Sequence, residues 1–193
     1  MRDLFDQCNK NFNSKFIFHS DNYNFKTKYL KDPVLKGKKF QFIRTNSGKS
    51  NDPKSLVKSF SNQVEKIGLI LNKQKPCLII VTGDRSETFA AAIAATHNQI
   101  PILHIHGGEV SFGSIDEKFR HCISKLSSFH LVSHAKYQKR LLQLGENKKT
   151  IKIIGSLSLD SISKKKFINK NDFFKKYKYL SKKFILVSLN SSL

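Results

Sequence analysis

The sequence predicts an α/β fold, a Rossmann-like parallel sheet with helices on both faces, and three observations carry that prediction. Apolar, β-rich runs alternate with helical patterns through the middle of the chain, which implies βαβ units. The runs are continuous in their apolar character, as strands buried on both faces are. Polar residues collect directly after consecutive runs, where open α/β sheets bind their ligands.

Taken in order, FIFH (16–19) and FQFI (40–43) are the weaker strand candidates. Asp52-Pro53 reads as a helix cap followed by a proline in the first turn, and Leu56, Phe60, Val64, Ile67 and Leu71 form one apolar stripe behind it. CLIIVT (77–82) is a buried strand, SETFAAAIAATHN an Ala-rich helix, and PILHIH (101–106) the next strand. IDEKFRHCISKL is helical, FHLVS (129–133) a strand, and HAKYQKRLLQLG a helix closed by Gly145 at its C-terminal cap. IKIIG (151–155) is a further strand. After Asp160 the composition turns Lys-rich. The expected organisation is therefore a Rossmann-like domain over 1–162, a helix or linker over 163–183, and at 184–193 the first strand of a second α/β domain.

Composition narrows the function classes. The three cysteines, Cys8, Cys77 and Cys122, form no CxxC pair, which argues against a disulfide framework or zinc ribbon and for a reducing compartment. No stretch has the form of a signal peptide or the length of a membrane span, so a cytoplasmic protein is expected. The net charge of +21 sits in the flanks: residues 76–160 carry ten Lys/Arg against seven Asp/Glu, residues 1–75 sixteen against six. Thirty of the 35 basic residues are Lys, with neither interleaved aromatic platforms nor an Arg-bearing recognition helix. Solvated surface is the expected role of that charge, with no nucleic acid as partner.

Two clusters carry chemistry. The first is Thr82-Gly83-Asp84-Arg85, between a strand and a helix: Gly83 permits close backbone approach, and Arg85 at a helix start suits a phosphate. Asp84 could equally be a plain helix cap. The second is HIHGGEVSFGSIDEKFRH, His104 to His121, with three histidines, three carboxylates and three glycines in eighteen residues. His104 and His106 alternate on a strand and are expected on one face; a metal would need further ligands at matching spacing, and none is evident. Gly107-Gly108 allows a sharp turn or close ligand approach. On the following helix, Ile115, Phe119, Cys122 and Leu126 fall on one face as a core stripe. The pairs Glu117/His121 and Asp116/Arg120, each four residues apart, then point away from the core. Ser114-x-x-Glu117 is a capping-box pattern that would occupy Glu117, which favours Asp116 as the reactive carboxylate.

The ordered set GDRSETFAAAIAA, IPILHIHGGEVSFGSIDEKFRHCISKLSSFH, QLGE and IIGSLSLD resembles the hydrolysing UDP-N-acetylglucosamine 2-epimerases of sialic-acid and related nonulosonic-acid synthesis. The resemblance implies the N-terminal half of a glycosyltransferase-B-type two-domain fold. It implies elimination of UDP from a UDP-sugar after proton removal at C2, then hydration, with no metal and no cofactor. Asp84 and Asp116 would be acid–base residues, Arg85 would face the diphosphate, and Arg120 and His121 would support the sugar end, beside Gly107, Gly108 and Glu117. Some relatives carry Glu where His106 stands, so the resemblance leaves open whether His106 or Glu109 does that work. It also implies an opening strand, expected to be missing from this sequence, and a second domain after FILVSLNSSL, so the chain is expected to be inactive by itself. A partner supplying that domain, or a homo-oligomer, would complete it. A non-catalytic binding remnant of the same family is the competing reading, with a metal hydrolase built on His104 and His106 behind it.

Overall fold

The computed structural model describes residues 8, 10–20, 40–44, 52–163, 167–178, 183–185 and 187. Strands β1 (Phe16–Ser20) and β2 (Phe40–Arg44) pair in parallel. Helix α1 (Pro53–Gln74) leads to the main sheet, in which β3 (Ile79–Thr82), β4 (Ile102–Ile105), β5 (Phe129–Val132) and β6 (Ile151–Ile153) lie side by side in chain order, all parallel. Between them run α2 (Ser86–His97), α3 (Asp116–Leu126) and α4 (Ala135–Gln143). Helix α5 (Leu157–Ser163) follows β6, and α6 (Lys170–Lys176) lies in the Lys-rich stretch. The strand expected over 184–193 lies mostly outside the described residues.

Local chemistry starts these elements where the sequence indicates. Asp52 accepts the backbone N–H of Ser55 at 3.0 Å and Pro53 opens α1, which satisfies one of the amides that a helix start leaves free. His134 caps α4 by accepting Lys136 N–H through Nδ1 at 3.1 Å.

One core joins Ile67 and Leu71 of α1, Ala92, Ala94 and Ala95 of α2, Ile123 of α3, and Val81 and Ile102 of the sheet, with Ile43 of β2 against it. Alanines on α2 let neighbouring helices approach closely, and α2 is the helix packed between α1 and α3. A smaller core joins Val132, Leu141 and Ile151. Between the helices, Phe89 of α2 stacks on Phe119 of α3 at 5.3 Å and meets Phe60 of α1 at 5.6 Å.

The apolar stripes differ from expectation on two helices. On α1 the buried positions are Ser59, Gln63, Ile67 and Leu71, while Leu56 is 51% exposed. On α3 they are Arg120, Ile123 and Ser124, with Ile115 and Cys122 exposed. On α3 the inward polar residue meets a partner on the sheet, Ser124 Oγ lying 3.1 Å from His104 Nδ1, and on α1 Gln63 donates to Ser59 one turn back at 3.3 Å.

Candidate active site

Parallel strands in one sheet end at a common edge, and the segments after β3, β4 and β5 bring their polar residues there. Their centre is Arg120, whose side chain is 5% exposed. Its guanidinium contacts Asp84 Oδ2, donates to Ser111 Oγ at 2.7 Å and to His106 O at 3.3 Å, and lies 3.7 Å from Glu109 Oε2. Glu117 Oε2 stands 3.9 Å from its Nε. A buried guanidinium needs carboxylate partners to offset its desolvation, and here three of them surround it. The expectation that Arg120 would pair with Asp116 on an outward flank is therefore corrected. Hydrogen-bonding demand, which no hydrophobic periodicity registers, turns the residue into the site.

Glu117 does bind a backbone amide, but that of Ser111 at 2.7 Å rather than the capping-box amide of Ser114, and it takes His121 Nε2 at 3.1 Å. Ser114 instead accepts Asp116 N–H at 3.2 Å. The loop before α3 is thereby folded back onto the helix, and its tip, Phe112-Gly113, stands out in solvent with Phe112 91% exposed.

The two histidines of HIH part company. His104 is buried, with Nε2 2.8 Å from Gly83 O and Nδ1 3.1 Å from Ser124 Oγ. Only an N–H can face a carbonyl, so Nε2 carries the hydrogen. Burial lowers the pKa of this imidazole to about 4, so the ring is neutral. Nε2–H is spent on Gly83 O and Nδ1 faces the buried Ser124 hydroxyl, so the ring packs as a core residue.

His106 lies past the last residue of β4 with φ +68, so strand alternation does not extend to it. A left-handed histidine is a local strain of roughly 1–3 kcal/mol, and it is held from both sides: His106 N–H donates to Leu131 O at 3.0 Å, and its carbonyl receives Arg120. The ring meets Glu109 Oε1 through Nδ1 at 2.8 Å. Ser133, next after β5, donates to the same oxygen at 2.7 Å. Burial alone would raise the Glu109 carboxyl pKa. Hydrogen bonds from Ser133 and His106 and the charges of His106 and Arg120 outweigh that and hold it below its ordinary value.

Gly107 and Gly108 are buried rather than open to a ligand. A Cβ on Gly107 would sit 3.0 Å from both His104 Nδ1 and Ser124 Oγ; on Gly108 (φ +73) it would sit 2.5 Å from Tyr137 O. The pair serves packing under α3 and α4. Beside the Arg120 cluster an open hollow of about 220 Å³ is lined by Arg85, Ser86, Glu87 and Asp116. Arg85 is exposed at the start of α2. Sequence patterns do not single out Ser111, Ser133 or Glu87, although Ser133 is findable: it follows a third consecutive strand at the edge where the other two clusters sit.

The sequence profile for UDP-N-acetylglucosamine 2-epimerase matches residues 8–189. The chain belongs to that epimerase family. Among curated relatives, the GDP/UDP-N,N'-diacetylbacillosamine 2-epimerase (hydrolyzing) of Campylobacter jejuni is 42% identical over 127 residues, covering 65% of this chain and 33% of the relative. The polysialic acid biosynthesis protein P7 of Escherichia coli is 42% identical over 109 residues, covering 56% of this chain and 28% of the relative. The solved UDP-GlcNAc 2-epimerase of Neisseria meningitidis, bound to UDP-GlcNAc, superposes with a TM-score of 0.66 at 22% identity over 93% of this chain and 50% of that one. The fold is thus the Rossmann-like fold of these epimerases, of the glycosyltransferase-B type. The chain spans about one third of the length of the curated relatives it matches.

Proposed function

We propose that this epimerase-family chain supplies acid–base machinery for a hydrolysing sugar-nucleotide 2-epimerase. The observation that carries the reading is the crowding of Asp84, Glu109 and Glu117 around buried Arg120, with His106 beside Glu109 and with Asp116 and Arg85 lining an open hollow. Such a site holds candidate proton donors and acceptors in fixed places, as general acid–base catalysis requires.

In the reaction a base removes the proton from C2 of the sugar. That electron pair forms the C1–C2 double bond, and the C1–O bond breaks with its pair leaving on UDP. Water then adds across the double bond, its oxygen to C1 and a proton to the opposite face of C2, which releases the free sugar epimerised at C2. Asp84, Asp116 and the His106/Glu109 pair are the proposed proton carriers. Arg85 meets the diphosphate, and Glu117, Arg120 and His121 border the sugar. The substrate is a UDP-sugar with a 2-acetamido group, and the relatives' names put one with a second acetamido group beside UDP-N-acetylglucosamine.

The test is the reaction run in D2O on both UDP-sugars, with 1–193 alone and with a separately expressed C-terminal half of the Campylobacter relative. The expected product is a free 2-epimeric sugar carrying deuterium at C2. Turnover should be far slower by 1–193 alone, since positioning of the sugar can contribute ~7–11 kcal/mol. A product that keeps its original C2 hydrogen would overturn the elimination mechanism, and robust release by 1–193 alone would overturn the need for a second half.

A further inference from the structure

Resting on that reading, we propose that Glu109 and Ser133 are positioning residues that hold His106 in its Nδ1–H form, so that Nε2 is the atom that exchanges a proton with the sugar. Glu109 Oε1 accepts from Ser133 Oγ at 2.7 Å and lies 2.8 Å from His106 Nδ1, and Glu109 Oε2 faces Arg120 at 3.7 Å. A carboxylate so surrounded is ionised, accepts only, and is a weakened base. Its depressed pKa agrees. Because an ionised carboxylate cannot donate, the imidazole nitrogen facing it must carry the hydrogen. The tautomer of a histidine is set by the hydrogen bond its other nitrogen makes, so the lone pair is left on Nε2. That nitrogen has no hydrogen-bond partner among the described residues, on a side chain 23% exposed.

The backbone serves the same end. The left-handed His106 is clamped by Leu131 O and by Arg120, so the ring has a fixed base from which to reach. Ser133 completes the arrangement from β5, a different strand from the one that delivers His106, and so ties the ring to the sheet and not only to its own loop. When Nε2 takes a proton, the imidazolium stands against Glu109, which stabilises it; when the proton is returned, the neutral Nδ1–H form is restored.

The tautomer is measurable on the 1–193 chain without substrate. In 15N-labelled protein at alkaline pH, with the His106 signals assigned by their loss in His106→Gln, the ring-nitrogen shifts should report hydrogen on Nδ1. Glu109→Gln, whose amide can donate to Nδ1, should move it to Nε2. Ser133→Ala should give a mixture, and Ser133→Thr should restore the wild-type pattern. Diethyl pyrocarbonate, which acylates an imidazole lone pair, should label His106 at Nε2 and do so several-fold more slowly in Glu109→Gln, with exposed His134 as the internal comparison. Hydrogen on Nε2 in the wild type, a tautomer indifferent to Glu109→Gln, or no Nε2 labelling would overturn the proposal. Those results would leave the epimerase reading standing, whereas loss of deuterium incorporation at C2 would strike that reading and not the tautomer.

Discussion

Arg120 and Asp116 stand four residues apart on one helix, and their environments separate their roles. Arg120 is buried among carboxylates, so its removal leaves unpaired negative charge in a poorly hydrated place. Arg120→Ala should destabilise the fold by about 3–5 kcal/mol in urea unfolding. Arg85→Ala, at an exposed helix start, should stay within about 0.5 kcal/mol of wild type. Asp116 lines the open hollow with Arg85 and Glu87. In an active form of the enzyme, Asp116→Asn should lower kcat by roughly 10²–10⁴ with little change in stability. Lost stability with unchanged turnover per folded molecule would make Asp116 structural.

Among the described glycines, Gly108 at the junction between β4 and α3 leaves a Cβ least room. Gly108 and Gly113 both have positive φ, but a Cβ on Gly108 would press against the backbone carbonyl of Tyr137, whereas one on Gly113 meets nothing within 4 Å. Gly113→Ala should therefore cost only the left-handed penalty, about 1–2 kcal/mol. Gly108→Ala should cost clearly more, because a carbonyl in α4 cannot rotate away as a side chain can. Comparing the two midpoints in urea checks this, and equal costs would mean that α4 shifts freely. Such freedom would also loosen Ser133, one residue before the cap of α4, and with it the hold on Glu109.

Viewed as a whole molecule, the sheet carries a pH dependence at its centre. His104 and His130 are cross-strand neighbours, each fully buried. Burial lowers the pKa of His130 also, against the opposing pull of Glu146. The unfolded chain protonates His104 near its ordinary 6.5, while the folded ring refuses the proton until about pH 4. Below pH 6.5 the unfolded state binds more protons, so stability falls as pH drops through that window and levels off below 4. The difference corresponds to about 3 kcal/mol for His104. Urea unfolding from pH 7 to 4 should show this loss, and His104→Gln should flatten it. An unchanged slope would mean that ionisation elsewhere, acting on the +21 chain, governs acid sensitivity.

By itself the sequence determined where the main-sheet strands lie along the chain, the starts of α1 and α2, the placing of GDR and HIHGG after consecutive strands, and the family. These are local or sequential properties. Short apolar runs alternating with helical patterns favour parallel strands, Asp52-Pro53 can cap only the helix directly after it, and a motif in fixed order keeps its meaning without contacts. Only the tertiary structure decided which way the polar residues turn. Periodicity put Ile115 and Cys122 in the core and Arg120 outside. The fold reversed this because carboxylates from three separate segments, Asp84, Glu109 and Glu117, offer Arg120 more than solvent does. Likewise HIH reads as two equivalent histidines, yet one is sealed against Ser124 and Gly83 while the other meets Glu109 and, through it, Ser133. Hydrogen-bond partners 20 to 36 residues away leave no trace in a hydrophobic pattern, because they are chosen by where the strands end and not by what stands beside them in the chain.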